Sequence, residues 1–175
     1  MHHLELVAVT SLPKKAWHCT MAVSKKNKKI IQKENPRGKI IIQSGDPEQY
    51  YSQNPAWTFE NADQKKWAFS QEHIQDQIWT EIIPTLRALE SQTWSEILVR
   101  NKKNNHSLDL EDLNKIARDR LTEKYIEADS LISLRLTGKH GLYGYMTGRV
   151  FNILWYDDDH GDNSKCVCRA SLKHT

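Results

Sequence analysis

The chain has 175 residues, of which 38% are hydrophobic and 27% charged, with six Trp and six Tyr. That length favours one sizeable core, and so many large apolar residues exclude a disordered chain. Net charge is only +3, but residues 1–40 hold nine Lys or Arg against Glu5 and Glu34. This asymmetry suggests an anionic partner such as nucleic acid or an acidic protein, although a solvated basic loop has the same composition.

The sequence also indicates where the protein acts. No apolar run approaches the roughly 20 residues that span a bilayer, and residues 1–5 do not resemble a signal peptide. Cys19, Cys166 and Cys168 are an odd number without disulfide spacing, which is typical of free thiols in a reducing compartment. We therefore expect a cytoplasmic protein with no membrane partner.

The first third of the chain predicts short strands and loops. Candidate strands are residues 4–9, 16–23 and 39–43, the last because three isoleucines lie between Gly38 and Gly45. The polar stretch from Ser44 to Asn61 predicts a loop that packs through its aromatic residues. We place a boundary near Asp63, so that residues 1–64 form a basic extension with short strands and residues 65–175 form the main domain.

Helical patterns follow a possible short strand at residues 66–69. Ser70 precedes apolar residues at the helical period, and Pro84 is expected to kink or restart that helix. Thr93 and Glu96 have capping-box spacing for a second helix, and Asp109 precedes a third segment with an apolar face. Most of the tryptophans are expected in the core, namely Trp57, Trp67, Trp79, Trp94 and Trp155.

After residue 130 the apolar residues recur at every second position, which predicts three antiparallel strands. They are Leu131–Leu136, Leu142–Met146 and Val150–Tyr156, with turns at Gly138 and at Thr147-Gly148. Phe151, Ile153 and Trp155 are expected to share one face. The fold class is therefore α+β, with central helices packed on a C-terminal antiparallel sheet.

The polar face of that sheet is the first candidate for a functional site. It carries Arg135, Lys139, His140, Tyr143 or Tyr145, and Arg149, with His160 just beyond the last strand. Cleaving RNA through its own 2′-hydroxyl needs a base, positive charge at the phosphate and an acid, and Arg, Lys and His supply these without a metal. Tyr can stack on a base. A half-solvated sheet face without any function would show the same alternation.

These residues resemble a known family. The segment Ser133–Leu142, with sequence SLRLTGKHGL, is similar to the strand-turn-strand signature of RelE-superfamily toxins, especially the YoeB and Txe branch. His160 lies where that family has a closing His, and Lys66–Ser70 resembles its opening strand, so the resemblance covers about residues 65–160.

The resemblance implies a metal-independent endoribonuclease that cleaves mRNA in a bacterial toxin-antitoxin or phage-defence system. Arg135 would be a phosphate-binding arginine, His140 and His160 would be catalytic, and Glu127 or Asp129 would supply the family's carboxylate base. Lys139, Tyr143, Tyr145 and Arg149 would bind RNA. The expected partners are RNA, including ribosome-bound mRNA, and an acidic antitoxin, and no cofactor is expected.

Two other interpretations remain open. The family's arginine after the turn histidine is Gly141 here, which favours a non-catalytic module that binds nucleic acid or protein. The cluster Asp157–His160 could hold a divalent ion for a metal-dependent nuclease, but an acidic turn explains it more simply. His160, Cys166, Cys168 and His174 are zinc ligand types without the usual paired spacing.

Overall fold

The fold is mixed α+β in a computed structural model that describes residues 40–42, 47–160 and 166–169. The candidate strands at residues 4–9 and 16–23 lie outside the described residues, as does the basic run at residues 25–33. The isoleucine run forms β1 (Ile40–Ile42), which pairs in parallel with β4 (Ile126–Ala128) in a two-stranded sheet. Within the described part of the chain, no helix is long and apolar enough to cross a membrane.

A five-stranded sheet forms the centre of the described fold. Its strands in chain order are β2 (Ala56–Thr58), β3 (His106–Asp109), β5 (Ser130–Arg135), β6 (Gly141–Thr147) and β7 (Val150–Asp157). Their order across the sheet is β2-β7-β6-β5-β3, and every pair is antiparallel except β2 with β7. The three C-terminal strands agree with the predicted ones, and β2 and β3 extend the sheet on both sides.

The helices are shorter than the sequence pattern predicts. They are α1 (Pro47–Tyr51), α2 (Gln71–Ile74), α3 (Ile83–Leu89) and α4 (Lys115–Glu123). The described residues also contain two π-helical segments, Ile78–Ile82 and Ser95–Arg100, and one 3₁₀ turn, Leu110–Asp112. Pro84 lies in the first turn of α3, where the π-helical segment ends and the α-helix begins.

Of the two helix starts predicted at Thr93 and Asp109, the sequence placed the first correctly. The capping box exists, because the Thr93 amide donates to Glu96 Oε2 at 2.8 Å and the Glu96 amide donates to Thr93 Oγ1 at 3.3 Å. The helix predicted after Asp109 instead begins after Asn114, whose Oδ1 accepts from the Ala117 amide at 2.9 Å. Asp109 ends β3 and directly precedes the 3₁₀ turn Leu110–Asp112, so the first turn of the predicted segment is separate from α4.

The strand predicted at residues 66–69 is absent, and the reason is local. Trp67 has φ +47°, a left-handed conformation that extended strands do not contain. The Phe69 amide donates back to the Asp63 carbonyl at 2.8 Å, which closes the segment into a loop. Trp67, Trp94 and Trp155 are buried as predicted and Trp57 is half-buried, but Trp79 is 71% exposed on the outer side of its π-helical turn.

Both faces of the sheet are covered, so the predicted polar face is not an open surface. One face packs on the helical segments through residues that include Ile82, Leu86, Leu134 and Phe151. The other packs on α4 and Trp67 through residues that include Ala117, Leu121, Tyr143, Trp155 and Val167. Ser133, expected on a solvated face, is only 6% exposed.

A β-bulge in β7 explains the position of Trp155. Tyr143 pairs with Trp155 while the next residue, Gly144, pairs with Ile153, so Leu154 is the extra residue. The alternation shifts there, and Trp155 packs with Leu154 on the α4 face rather than with Phe151 and Ile153. The prediction that these three share a face was wrong because strict alternation cannot anticipate a bulge.

A buried ion pair fastens α4 to the sheet. Asp63, which is 1% exposed, accepts from Arg120 Nε at 2.9 Å and Nη2 at 2.8 Å, and from Trp155 Nε1 at 3.2 Å. Burial raises the pKa of the Asp63 carboxyl, but hydrogen bonds from the Lys65 amide, Arg120 and Trp155 outweigh it and leave the pKa below its usual value. Asp63 is therefore charged at neutral pH.

Candidate functional site

A small cavity lies where β5 ends and β6 begins. It has a volume of about 40 Å³ and is lined by Asn104, His106, Ser133, Arg135, His140, Gly141, Tyr143 and His160. Four of the residues that the sequence singled out therefore meet at one place, namely Arg135, His140, Tyr143 and His160. The space admits a few water molecules and is far smaller than the roughly 300–1,000 Å³ of small-ligand sites.

The β5–β6 turn and the chain after β7 bring these residues together. Arg135 pairs with Gly141 across the two strands. The turn closes when the Leu136 amide donates to the His140 carbonyl at 3.0 Å and the His140 amide donates to the Thr137 carbonyl at 2.9 Å. The His160 amide donates to the Lys139 carbonyl at 3.1 Å, which places His160 beside the same turn.

His140 is held by a buried glutamate from the helical region. Its Nδ1 lies 2.6 Å from Glu81 Oε2 and 3.1 Å from the Tyr156 hydroxyl. Glu81 is 6% exposed and also accepts from the Thr137 amide at 2.8 Å and from the Thr137 hydroxyl. Burial raises the pKa of Glu81, but the bonds from Thr137 and His140 outweigh it and lower the pKa below its usual value.

The charged Glu81 fixes the orientation of the His140 ring. A carboxylate can only accept, so it holds a proton on Nδ1 and leaves Nε2 as the acceptor of the neutral ring. Tyr156 remains a phenol, because burial and then the charge of Glu81 raise its pKa far above the usual value. His140 is thus oriented in the way that a general base requires.

His160 contacts Tyr143 inside the same cavity. The Tyr143 hydroxyl lies 2.8 Å from His160 Nδ1, and the Cys168 thiol lies 3.5 Å from the same nitrogen. Burial, followed by the nearby Asp157 and Cys168, raises the pKa of Tyr143 well above its usual value, so the hydroxyl stays protonated. Tyr143 is fully buried and Tyr145 is 3% exposed, so neither ring presents a face to a base in this structure.

Arg135 and Lys139 supply the positive charge near the cavity. The Arg135 guanidinium donates from Nη1 to the Gly138 carbonyl at 2.9 Å, and its backbone amide donates to Asn105 Oδ1 at 2.9 Å. Lys139 Nζ lies 3.4 Å from Asp159 Oδ1, but the lysine side chain is 67% exposed. Such an exposed pair is weak, so Lys139 can exchange Asp159 for another anion at little cost.

Tyr145 and Arg149 lie away from the cavity. The Tyr145 hydroxyl accepts from Asn61 Nδ2 at 3.0 Å, and Arg149 is exposed in the β6–β7 turn, at the opposite end of β6 from His140. Arg149 Nη1 donates to the Asn54 carbonyl at 3.4 Å. Glu127 and Asp129, the expected carboxylates, are exposed and do not line the cavity.

The acidic residues at the end of β7 differ in burial, since Asp157 is buried and Asp158 is exposed. Asp157 is fully buried and accepts from the Val167 amide at 2.9 Å and the Asp159 amide at 3.2 Å. Burial raises its pKa to about 6. Among the described residues, no group of three or more His, Cys, Asp or Glu side chains is arranged to hold a metal ion. His174 lies outside the described residues.

Two cysteines lie in the described part of the chain, and one of them, Cys168, contacts His160. Cys166 and Cys168 are both buried, and their sulfur atoms are 3.5 Å apart without a disulfide. Burial raises the pKa of the Cys168 thiol to about 12, so it remains protonated at neutral pH. In this state Cys168 is a poor nucleophile.

The sequence analysis missed three residues of this region: Glu81, which contacts His140, and the cavity-lining His106 and Asn104. Glu81 interrupts the apolar pattern between Ile78 and Ile82, and a charge within an apolar stripe was the available signal. His106 comes from β3, where it alternates with the buried Leu108, and Asn104 comes from the loop before it. Comparisons with protein-family models, with curated proteins and with solved structures gave no match.

Proposed function

We propose that the protein is a metal-independent endoribonuclease that cleaves mRNA, as a toxin of a bacterial toxin-antitoxin or phage-defence system. One observation carries the proposal: Arg135, His140 and His160 line the same cavity, although they come from a strand end, a turn and the chain after β7. The partners would be RNA, including ribosome-bound mRNA, and an acidic antitoxin, in the cytoplasm.

The proposed reaction uses the RNA's own 2′-hydroxyl as the nucleophile. His140 takes the proton through Nε2, with its ring held by Glu81, and the 2′-oxygen attacks the adjacent phosphorus. Arg135 balances the added charge on the phosphate, and Lys139 holds a neighbouring phosphate from the surface. His160 donates a proton to the departing 5′-oxygen, which gives a 2′,3′-cyclic phosphate and a 5′-hydroxyl end.

The size of the cavity supports a cleavage site that receives only the phosphate. A cavity of about 40 Å³ is far below the roughly 300–1,000 Å³ of small-ligand sites, so a phosphate would contact the arginine and the histidines while the bases remain outside. Tyr143 would act through His160, because its hydroxyl contacts that ring and its own faces are covered. Base stacking therefore has to come from other residues.

The first test is cleavage of labelled single-stranded RNA by the full chain, with and without EDTA. We expect cleavage to persist in EDTA and to fall at least about 100-fold in Arg135→Ala, His140→Ala and His160→Ala, since each removes one element of the acid-base or electrostatic catalysis. Arg118→Ala is the matched control, because Arg118 is exposed on α4 and does not line the cavity. Cleavage that stops in EDTA would refute the metal-independent mechanism.

Glu81→Gln tests whether the buried glutamate positions His140. Gln keeps the length of the side chain but removes the charge, so we expect kcat to fall about 10- to 100-fold with little change in KM, by analogy with outer-shell partners of catalytic histidines. The pH profile of kcat should also shift, which a purely structural loss would not produce. An unchanged pH profile and kcat would mean that His140 does not act through Glu81.

A non-catalytic module that binds nucleic acid or protein is the second candidate. Gly141 lies in the cavity lining, at the position where the similar toxins carry an arginine, so this site has one cation fewer. Induced expression in bacteria separates the two candidates. Growth arrest that is lost in Arg135→Ala and His160→Ala supports the nuclease, whereas a folded protein that binds RNA but neither cuts it nor arrests growth supports the module.

A further inference from the structure

A second, larger cavity adjoins the proposed cleavage site. Its volume is about 430 Å³, within the range of about 300–1,000 Å³ that small-ligand sites occupy. One wall is apolar and includes Ile132 and Met146, which are 8% and 6% exposed. Tyr51 is half-buried in the lining, and the polar side chains of Lys102 and Asp129 lie among the exposed residues of the lining.

His106 is part of the lining of both cavities, and it lies on β3 at the edge of the sheet. The loop that carries Lys102 and leads to His106 is fixed in place by Asn105, which is 3% exposed. Asn105 Nδ2 donates to the Ile97 carbonyl at 3.3 Å, and its Oδ1 accepts the Arg135 amide at 2.9 Å. The same side chain therefore ties the second cavity to the strand end that carries the catalytic arginine.

We infer that the second cavity binds a guanine nucleotide of the RNA, next to the phosphate that is cleaved. The inference rests on the proposed function, and it names the substrate feature that this site would select. A strand whose cleaved phosphate contacts Arg135 and the histidines can pass its neighbouring nucleotide across His106 into this cavity, which has the volume that the first one lacks.

The lining favours a nucleotide over an aliphatic ligand. Tyr51 offers an aromatic ring for base stacking, Ile132 and Met146 offer an apolar floor, and Lys102 offers a cation for the phosphate. This pairing of an aromatic ring with a basic rim is typical of single-stranded nucleic acid sites.

Asp129 determines which base fits. A carboxylate only accepts hydrogen bonds, so it prefers a base edge with two adjacent donors. Guanine has this arrangement at N1 and N2. Adenine and cytosine each place an acceptor beside their amino group, and uracil has a single N–H between two carbonyls. The charge of Asp129 would therefore select guanine and disfavour adenine.

The test is direct binding of the four nucleoside 5′-monophosphates to the full chain, measured by isothermal titration calorimetry. We expect GMP to bind at least about tenfold more tightly than AMP, CMP or UMP, the discrimination that a bidentate contact gives. Asp129→Asn should remove most of this preference. Tyr51→Leu should weaken GMP binding roughly 5- to 150-fold, the loss expected for a base–aromatic stack.

Two controls separate this inference from the proposed function. Lys102→Ala should weaken GMP binding and Lys103→Ala should not, since both lysines are exposed neighbours but only Lys102 lines the cavity. Arg118→Ala should leave GMP binding unchanged, because Arg118 is exposed on α4 and lines neither cavity. If GMP binds as described but the protein cuts no RNA, the guanine site stands and the nuclease proposal fails. If RNA is cut while GMP shows no preference, or Asp129→Asn and Tyr51→Leu bind it as wild type does, the guanine site is refuted.

Discussion

The buried Asp157 should make the protein more stable as the pH falls from 7 to 5. Burial raises the pKa of this carboxyl to about 6, against an ordinary value of 3.8 in the unfolded chain. Between these two values the folded protein holds a proton that the unfolded chain has released. Stability therefore rises as the pH falls through 6, and the gain is complete near pH 4.

The size of the effect follows from the two pKa values. With about 6 in the folded state and 3.8 in the unfolded state, the free energy of unfolding should increase by about 1.3 kcal/mol between pH 7 and pH 5. For a chain of this size that corresponds to about 3–5 °C in Tm. Asp63 and Glu81 do not oppose it there, since their pKa values are lowered and their contributions are lost only below the ordinary carboxylate pKa.

The assay is urea unfolding at pH 5, 6 and 7, followed by tryptophan fluorescence in wild type and Asp157→Asn. Histidines also titrate in this range, so the informative quantity is the difference between the two pH slopes. Asn cannot ionise, and its slope should be smaller by the 1.3 kcal/mol estimated above. Asp76→Asn is the control, because Asp76 is exposed, lies outside the acidic cluster that acts on Asp157, and should keep the wild-type slope. Equal slopes for wild type and Asp157→Asn would refute the argument.

Two further predictions concern Arg120 and Gly141. Arg120→Met leaves Asp63 charged and buried, so it should lower the free energy of unfolding in urea by about 3–5 kcal/mol. Lys115→Met breaks the exposed ion pair with Asp119 and should lower it by less than about 1 kcal/mol. Equal losses would contradict the role of burial. Gly141→Arg adds, beside the cavity, the cation that the resemblance to RelE-type toxins implies at this position. A Cβ there meets its nearest atoms at 3.5 Å, an ordinary contact, so we expect RNA cleavage to increase about tenfold or more. An unchanged or lower rate in a folded variant would show that this cation is not what limits the site.

The C-terminal strands could be predicted because their pattern is local. The alternating apolar residues and the turn glycines predicted both ends of β5, β6 and β7 to within one residue. The same rule failed at Trp155, since the extra residue Leu154 depends on the register against β6. Both sheet faces are buried, so alternation between polar and apolar residues was also a poor guide to exposure.

The candidate site was predictable only in part, for a similar reason. Arg135, His140 and His160 lie near one turn, and their grouping follows from the hairpin that the sequence defines. Glu81 contacts His140 from 59 positions earlier in the chain, and no local spacing relates the two. Asn105 likewise reaches the Arg135 amide across 30 positions. Such long-range contacts depend on how the helices pack, which periodicity does not determine.

The bulge at Leu154 also determines which length changes β7 can tolerate. Side chains alternate along a strand, so deleting one residue before or after the bulge exchanges the faces of every residue on one side of the deletion. Leu154 is the exception, because without it Ile153 and Trp155 would follow each other opposite Gly144 and Tyr143, and Tyr156 and Asp157 would keep their partners in β6. A one-residue deletion can therefore be absorbed at Leu154, whereas the same change elsewhere in β7 reorders the core and the cavity together.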